Sequence, residues 1–388
     1  MKKAIILVLS LTFSMLGEAQ QKKPTIRAAL FVSLYLDSSF DKTGNYVFKN
    51  SFPKNAAAGL EFYEGASLAI DSINTKGTSV ILETFDIKSK NGSLTTLLEN
   101  KKFDSIDLII GQLEGFEYLQ IAKISKAKNI PLINATYPND GGIRASPTVF
   151  LANPKINSHI QVIFNQIEKK WPEGNIIWCK RGNIYDEKVE SIFKDFNGSS
   201  NNATFKYKTL ILNELFSNAD LAAMVDSTKN NVIISGSLDE DFCKKLITAV
   251  SSLEKKNKIQ VIGMPSWESF KEIQHKNYAE LPIFYTSSFH IPVGHNWATT
   301  FDNQFKNTIG IKSTITAYKA YELTFYFIKL LLKYGQITMF NLDDPQFKLM
   351  TDFDFRPVNF NAKEVKPDYF ENKKIYFLRR QNGIVTVQ

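Results

Sequence analysis

The sequence contains few of the residues and patterns on which catalysis or metal binding depends. Its 388 residues include four histidines, and none of them lies at a metal-binding spacing from cysteines or carboxylates. A G-x-S-x-G nucleophile turn, a glycine-rich phosphate loop and a recognisable pair of carboxylates are all missing. These absences argue against an enzyme, and no motif indicates a metal or another cofactor.

Cysteine is equally scarce. Cys179 lies in an apolar run typical of a strand, and Cys243 lies near the start of an amphipathic helix. An oxidising compartment permits a disulfide between them, but a chain of this length does not need one to be stable. Two interpretations therefore stay open, a bridge or a pair of buried thiols that pack as small apolar side chains.

Long apolar runs are also missing, apart from one near the beginning of the sequence. Two lysines precede an apolar run over residues 4–16, and the segment Gly17-Glu18-Ala19 follows it. The run is too short to span a bilayer, so the pattern predicts a signal peptide cleaved after Ala19 rather than a membrane anchor. Because no cysteine lies beside the cleavage site, we expect a periplasmic chain with neither a lipid anchor nor a membrane span.

The basic residues do not form a pattern suited to nucleic acid. Lysine and arginine number 47 against 39 aspartate and glutamate, which gives a net charge of +8. They are scattered, often in pairs such as Lys169-Lys170 and Lys244-Lys245. Because no basic stripe interleaved with aromatics occurs, we expect a solvated surface and no nucleic-acid partner.

What the sequence does contain is a regular alternation of strand and helix signals. This alternation is typical of α/β layers on largely parallel sheets, and the length after the signal fits two domains. Strands are predicted near residues 26–35, 79–87, 106–111, 130–134, 175–180, 205–212, 231–235, 259–263 and 283–287. Helices are predicted over residues 61–76, 116–128, 158–171, 186–196, 219–229, 239–255, 268–277, 297–309 and 316–334.

Two helical segments carry a resemblance to a known family. Residues 62–77 read F-Y-E-G-A-S-L-A-I-D-S-I-N-T-K-G, with apolar positions at helical spacing and Gly77 as a helix-ending residue. Residues 317–320 read A-Y-K-A. The first segment resembles the F-x-x-G-A…A-x-x-x-I-N-x-K-G helix of type I periplasmic solute-binding proteins, the leucine/isoleucine/valine-binding group. The second is similar to the A-Y-x-A helix that returns to the first lobe in that family.

The resemblance implies an α/β fold of two doubly wound, mostly parallel-sheet lobes joined by crossing strands, with a ligand cleft between them. Residues 25–152 and 289–336 would form the first lobe, and residues 153–288 the second. The tail, residues 337–388, reads as short β segments and is expected to pack mainly on the second lobe. The insert over residues 37–55 fits the family less well, and it either overhangs the cleft or forms a flap without a ligand role.

Candidate ligand contacts in the first lobe follow its strands, because ligands bind at the carboxyl ends of strands in such folds. In the family, a G-x-x-x-S turn receives a carboxylate through a hydroxyl and backbone N–H groups. Here the hydroxyl position is Gly115, flanked by Glu114 and Phe116. Thr136 falls on the family's ligand-contacting threonine, or else it is a turn residue that satisfies local backbone. Tyr35 lies in the loop that forms part of the ligand wall.

The second lobe offers three further candidates. Tyr185 matches the tyrosine of the family's Y-G turn, or else it packs at the rim of the hinge. Glu240 falls on the carboxylate that pairs with a ligand ammonium, but an acid in the first turn of a helix is also favoured by the helix dipole. Trp267 follows a strand directly and is placed to cover the cleft.

Two functional hypotheses follow from these residues. The first is an exported solute-binding protein that captures an amino acid or a related small ligand by hinge closure and passes it to an ABC permease in the inner membrane. The second keeps the bilobed fold but assigns it to an envelope regulator or sensor, for example one acting on cell-wall synthesis, without transport. Gly115 in place of the hydroxyl, and the acids beside it, keep this second hypothesis open.

Overall fold

The computed structural model describes residues 25–49, 52–90, 93–99, 101–199, 205–213, 215–254, 258–361 and 363–388. The expected signal peptide and its cleavage site after Ala19 lie outside these residues. In the ranges described, no helix has both the length and the apolar character needed to cross a membrane.

Fourteen strands and ten α-helices alternate along the described ranges. The strands are β1 (Thr25–Val32), β2 (Ser79–Asp86), β3 (Leu108–Gly111), β4 (Leu132–Asn134), β5 (Val149–Leu151), β6 (Asn175–Lys180), β7 (Tyr207–Ile211), β8 (Asn231–Ser235), β9 (Ile259–Ile262), β10 (Ile283–Ser287), β11 (Phe355–Val358), β12 (Tyr369–Asn372), β13 (Tyr376–Gln381) and β14 (Ile384–Val387). The helices are α1 (Leu36–Ser39), α2 (Lys54–Asn74), α3 (Leu94–Glu99), α4 (Gly115–Lys128), α5 (Ile156–Lys170), α6 (Ile184–Ser199), α7 (Asn218–Ala222), α8 (Glu240–Glu254), α9 (Asn296–Ile309) and α10 (Ile315–Tyr334).

The strands form two seven-stranded sheets, each the centre of one lobe. The first has the order β11-β12-β5-β4-β3-β1-β2, and the second has the order β14-β13-β10-β9-β8-β6-β7. Pairing is parallel from β12 to β2 and from β10 to β7, and antiparallel where β11, β13 and β14 join. The prediction of two doubly wound, mostly parallel-sheet lobes is confirmed.

The central strands are apolar on both faces because helices cover both sides of each sheet. In β1, Ala28 and Leu30 join the cluster under α2 and α10. Ala29 and Phe31, which point the other way, join the cluster under α4. The sequence pattern of β1 is therefore a continuous apolar run rather than an alternation.

Helix α10 packs along α2 in the first lobe, so the A-Y-K-A segment lies against the F-x-x-G-A segment. The contact is close because Gly65 has no side chain. A Cβ atom added at Gly65 would lie 2.1 Å from the carbonyl oxygen of Ala317. The glycine and alanine of the two motifs thus have a packing role in bringing α10 back to the first lobe.

Three segments cross between the lobes. The first joins β5 to α5, the second joins β10 to α9, and the third joins β12 to β13 within the tail. The expectation that residues 337–388 pack mainly on the second lobe is therefore wrong, since β11 and β12 belong to the first sheet. Tyr369 and Phe370 are buried on opposite faces of that sheet, which fixes β12 there. The exact lobe boundaries stay predictions.

Glu371 ties the crossing segments together. Its buried carboxylate accepts hydrogen bonds from the backbone N–H of Lys155 at 3.0 Å and from Ser158 Oγ at 2.7 Å. Its other oxygen lies 2.9 Å from Lys373 Nζ. Because Glu371 is on β12 and Lys155 and Ser158 lie at the start of α5, this carboxylate joins the first and third crossings.

Two predicted helices differ from the structure. Residues 268–277 form parts of three short 3-10 helices, Pro265–Ser269, Lys271–Gln274 and Lys276–Tyr278. Residues 219–229 are helical only to Ala222, because Asn231 Oδ1 accepts the backbone N–H of Asp226 and supports a turn there. The strand β5 has no counterpart among the predicted strands.

Cys179 and Cys243 are both free and buried in the same apolar cluster of the second lobe. Burial raises the pKa of the Cys179 thiol, and burial followed by the charge of Glu240 raises that of Cys243. The structure therefore favours the interpretation of two buried thiols over a bridge.

Candidate functional site

A cavity of about 450 Å³ lies between the lobes, beside the crossing segments. Its wall includes residues of the first lobe, the second lobe and two of the crossings. The lining residues are Pro138, Asn153, Pro154, Ile156, His159, Leu238, Pro265, Ser266, Glu268, Thr286, Ser287, Ser288 and Lys319. The volume suits a small organic molecule, and the wall combines apolar surface with a few polar groups, as ligand sites do.

His159 contributes a neutral ring to this wall. It lies on α5 and is buried, with Nδ1 3.0 Å from Thr286 Oγ1 at the end of β10. Burial, reinforced by the positive charge of Lys319, lowers the pKa of His159 to about 3. The imidazole is therefore uncharged at neutral pH and offers hydrogen bonds rather than a positive charge.

Glu268 contributes a carboxylate from the second lobe. Ser287 Oγ lies 2.7 Å from Glu268 Oε1 and 2.7 Å from the carbonyl oxygen of Phe289. The single hydroxyl hydrogen of Ser287 is therefore shared between these two acceptors. Among the residues that the structure describes, no lysine, arginine or histidine forms an ion pair with Glu268. The carboxylate is oriented but not neutralised.

Lys319 contributes an ammonium from the first lobe. It lies on α10, is partly buried, and forms neither an ion pair nor a hydrogen bond with any described residue. Its neighbour is aromatic, with Nζ 5.7 Å from the centre of the Phe289 ring. Lys319 and Glu268 thus place opposite charges in one cavity, one from each lobe, without pairing to each other.

The predicted anion turn of the first lobe does not line this cavity. Glu114 is in extended conformation, Gly115 has a φ of +55°, and Phe116 is 70% exposed at the start of α4. The first helical residue is therefore in the left-handed conformation instead of the right-handed one of a regular helix start. The side chains of Glu114 and Glu117 add negative charge at the same place.

Tyr35 and Thr136 lie after strands, as predicted, but they too are outside the cavity wall. Tyr35 has a φ of 55° and precedes α1 directly. The backbone carbonyl of Thr136 accepts a hydrogen bond of 2.7 Å from Asn153 Nδ2, which connects β4 to the first crossing. This bond involves the backbone of Thr136 and not its hydroxyl, so both interpretations of that hydroxyl stay predictions.

The predicted residues of the second lobe lie apart from one another. Tyr185 is 78% exposed in the first turn of α6. Glu240 is exposed at the start of α8, 3.6 Å from Lys244 one turn later. Trp267 is fully buried in the second lobe, and a Cβ added at Gly263 would lie 2.0 Å from its ring. The expectation that Trp267 covers the cleft is therefore wrong, because the indole fills the space that Gly263 leaves inside the lobe.

None of the site residues predicted from the sequence lines the cavity. Ser287 and Ser288 lie at the carboxyl end of β10, so the rule that located the other candidates could have found them. The prediction of one helix over residues 268–277 places Glu268 inside a helix instead of at the end of a strand, and so gives no reason to assign it to the site. Lys319 lies inside the A-Y-K-A segment itself, where only the packing of α10 on α2 reveals which way it faces.

No protein-family model and no curated protein matches this chain. Solved structures do. The LivJ branched-chain amino acid binding protein of Streptococcus pneumoniae, in complex with isoleucine, matches at 17% identity and a TM-score of 0.53, over 94% of this chain and 99% of that one. An ABC transporter substrate-binding protein of Desulfitobacterium hafniense, in complex with Leu, matches at 15% identity and a TM-score of 0.58, over 94% and 100%.

The chain has the fold of a type I periplasmic solute-binding protein. A third match with this fold is a solute-binding protein from R. palustris in complex with benzoate, at 13% identity and a TM-score of 0.51, over 94% of this chain and 95% of that one. Both lobes and the crossings between them are included in each match. The fold resemblance inferred from residues 62–77 and 317–320 is confirmed.

Proposed function

We propose that this chain is a solute-binding protein, not an enzyme, that captures an amino acid or a related small molecule between its lobes. The observation that carries the proposal is the pair of uncompensated charges in one cavity, Lys319 from the first lobe and Glu268 from the second. A zwitterionic ligand satisfies both charges at once. Ligand binding would therefore favour the form in which the two lobes are held together.

Glu268 replaces Glu240 as the residue that we assign to the ligand ammonium. Glu268 lines the cavity and is oriented by Ser287, whereas Glu240 is exposed beside Lys244. The known ligands of the structural neighbours, isoleucine, Leu and benzoate, are all small carboxylates with an apolar body. The apolar wall formed by Pro138, Ile156 and Leu238 suits such a body.

The remaining predicted residues fit a role in closure. Phe116 and Tyr185 are large, exposed side chains at the carboxyl edges of the first and second sheets. Aromatic side chains at these two edges would come to face the cleft and bury apolar surface if the lobes closed. We propose that Glu114, Gly115, Phe116, Thr136 and Tyr35 form the first-lobe rim, and Tyr185 the opposite rim, when the lobes close.

The working compartment and partner follow from the same proposal. A solute-binding protein with the predicted cleavage after Ala19 acts in the periplasm and delivers its ligand to an ABC permease. Signal cleavage is tested by N-terminal sequencing of the exported protein, which should begin at Gln20.

A ligand screen tests the function. The purified exported protein would be heated with each of the twenty amino acids, benzoate, short peptides and cell-wall fragments in turn. A ligand that binds only the folded state adds about 2.7 kcal/mol of stability at a hundredfold excess over its dissociation constant. X-ray scattering with the best ligand should show a smaller radius of gyration, as expected for closure. Stabilisation by cell-wall fragments alone would favour the envelope regulator, and no stabilisation by any compound would contradict solute capture.

A further inference from the structure

The ammonium of Lys319 is unusual for a partly buried charge because no carboxylate in the described part of the chain forms an ion pair with it. The space beside it is lined mainly by apolar side chains, among them Phe289, Leu323 and Phe353, and the hydroxyl of Ser288 is its one neutral polar side chain. A charge in such surroundings costs stability unless it is paired. Positions that break a packing rule in this way are typical of functional sites.

The alternative anion site of the first lobe is poorly suited to its task. The start of α4 lacks a hydroxyl at Gly115, and Glu114 and Glu117 lie beside it. Glu117 is 3.4 Å from Lys88, so that lysine already has a partner. A carboxylate approaching this turn therefore meets the negative charge of Glu114 and an ion pair that is already formed.

We propose that Lys319 is the anion-binding residue of the interlobe cavity and that it receives the carboxylate of the solute from the first lobe. This assignment rests on the proposed function and deepens it, because it specifies that the ligand carries a carboxylate bound by a side-chain ammonium. The ligand carboxylate would then form the ion pair with the Lys319 ammonium that no described residue forms. The ammonium of the same ligand then lies toward Glu268.

The neutral state of His159 fits this arrangement. The ring lines the same cavity and is held by Thr286 Oγ1 at 3.0 Å. Because the imidazole is uncharged, Lys319 supplies the positive charge at this wall of the cavity. Removal of the Lys319 charge should therefore remove most of the attraction for a carboxylate.

The test compares Lys319→Met, which removes the charge, with Lys319→Arg, which keeps it. Lys329→Met is the matched control, since Lys329 lies on the same helix but contacts the rings of Phe325 and Phe347 instead of the cavity. Each protein would be titrated calorimetrically with the twenty amino acids and, for those that bind, with the corresponding amino acid amides. The amides lack the carboxylate, so the wild-type protein alone already tests the proposal.

We expect Lys319→Met to bind its amino acid about thirtyfold or more weakly, and Lys319→Arg to retain most of the affinity. Lys329→Met should bind as the wild type does. The wild type should bind the amide weakly, and Lys319→Met should lose little further affinity for the amide. Equal affinity of the wild type and Lys319→Met for the amino acid would overturn the proposal while leaving solute capture intact.

A second measurement covers the case in which no amino acid binds. Lysines of the wild-type protein would be trace-labelled with acetic anhydride in the absence and presence of benzoate, and the modified positions read by mass spectrometry. Protection of Lys319 relative to Lys329 supports the anion site and contradicts the amino-acid ligand. If Lys319 is labelled equally with and without benzoate, and no amino acid binds, both the anion site at Lys319 and the amino-acid ligand are contradicted.

Discussion

Lys180 and Lys319 mark two regions in which this chain removes a positive charge from solvent. Lys180, at the end of β6, is almost fully buried within the second lobe, with Nζ 2.5 Å from Glu187 and 2.6 Å from Glu190. Glu190 also accepts a hydrogen bond of 2.7 Å from Thr209. Lys319, between the lobes, has no such partners in the part of the chain that the structure describes.

The difference distinguishes a charge with a structural role, that of Lys180, from a charge that is available to a ligand, that of Lys319. The cluster around Lys180 is satisfied by residues of one lobe, so it is complete whether the lobes are open or closed. The cavity around Lys319 has its negative group, Glu268, on the other lobe. Because Lys319 and Glu268 lie on different lobes, a ligand that contacts both of them stabilises the closed form.

The largest expected effect is on the stability of the second lobe. Lys180→Met leaves the fully buried carboxylate of Glu190 without its main partner, and breaking such a pair costs about 3–5 kcal/mol. Urea unfolding followed by circular dichroism measures the loss. A change below about 1 kcal/mol would show that Lys194, 3.2 Å from Glu190, compensates and that the contrast with Lys319 is overstated.

An intermediate effect is expected on ligand binding. Glu268→Gln keeps the size of the side chain and its hydrogen bond from Ser287 but removes the negative charge, so affinity for an amino acid should fall about tenfold, or 1.4 kcal/mol. Glu240→Gln is the matched control and should leave affinity unchanged. Calorimetric titration measures both, and a loss confined to Glu240→Gln would restore the original assignment of the ammonium site.

A smaller effect is expected when the pH is lowered, because the contribution of Glu190 to the free energy of unfolding is then lost. Burial opposes the ionisation of Glu190, but hydrogen bonds from Lys180, Thr209 and Lys194 outweigh it, so the pKa of Glu190 lies below its ordinary value of 4.5. The lowered pKa means that the ionised carboxylate stabilises the fold fully above pH 4.5 and that this contribution is lost as the pH falls through the folded value. Urea midpoints of the wild type and Glu190→Gln should therefore converge below that pH. Parallel curves would place the acid sensitivity elsewhere.

The smallest effect is expected for the stability of Lys319→Met. Because the ammonium has no partner among the described residues, its loss removes no hydrogen bond and relieves the cost of an unpaired charge, so the free energy of unfolding should stay the same or rise by a small amount, about 0.5 kcal/mol. Urea unfolding without ligand is the measurement. Strong destabilisation would mean that Lys319 has a structural role after all, as Lys180 does.

The sequence was sufficient for the order of elements and much less so for the site. The apolar run of β1 and the helical spacing after Phe62 depend on local chemistry, which is visible along the chain. Trp267 and Glu240 both follow strands, yet the side chain of Trp267 turns into its lobe and that of Glu240 into solvent, a difference that their positions along the chain do not reveal. Which polar groups meet across a hinge depends on how α10 packs on α2 and how the crossings run. Neither is a property of a local segment.

The tail shared by both lobes also has a consequence for how the chain folds. Strand β12 pairs with β5 in the first sheet, and β13 pairs with β10 in the second. These pairings join residues far apart in sequence, and such contacts form late because the intervening chain must first be ordered. Until residues 355–387 are in place, each sheet lacks two of its strands. Both lobes therefore depend on the same late segment to complete their sheets, which couples the last step of folding in one lobe to that in the other.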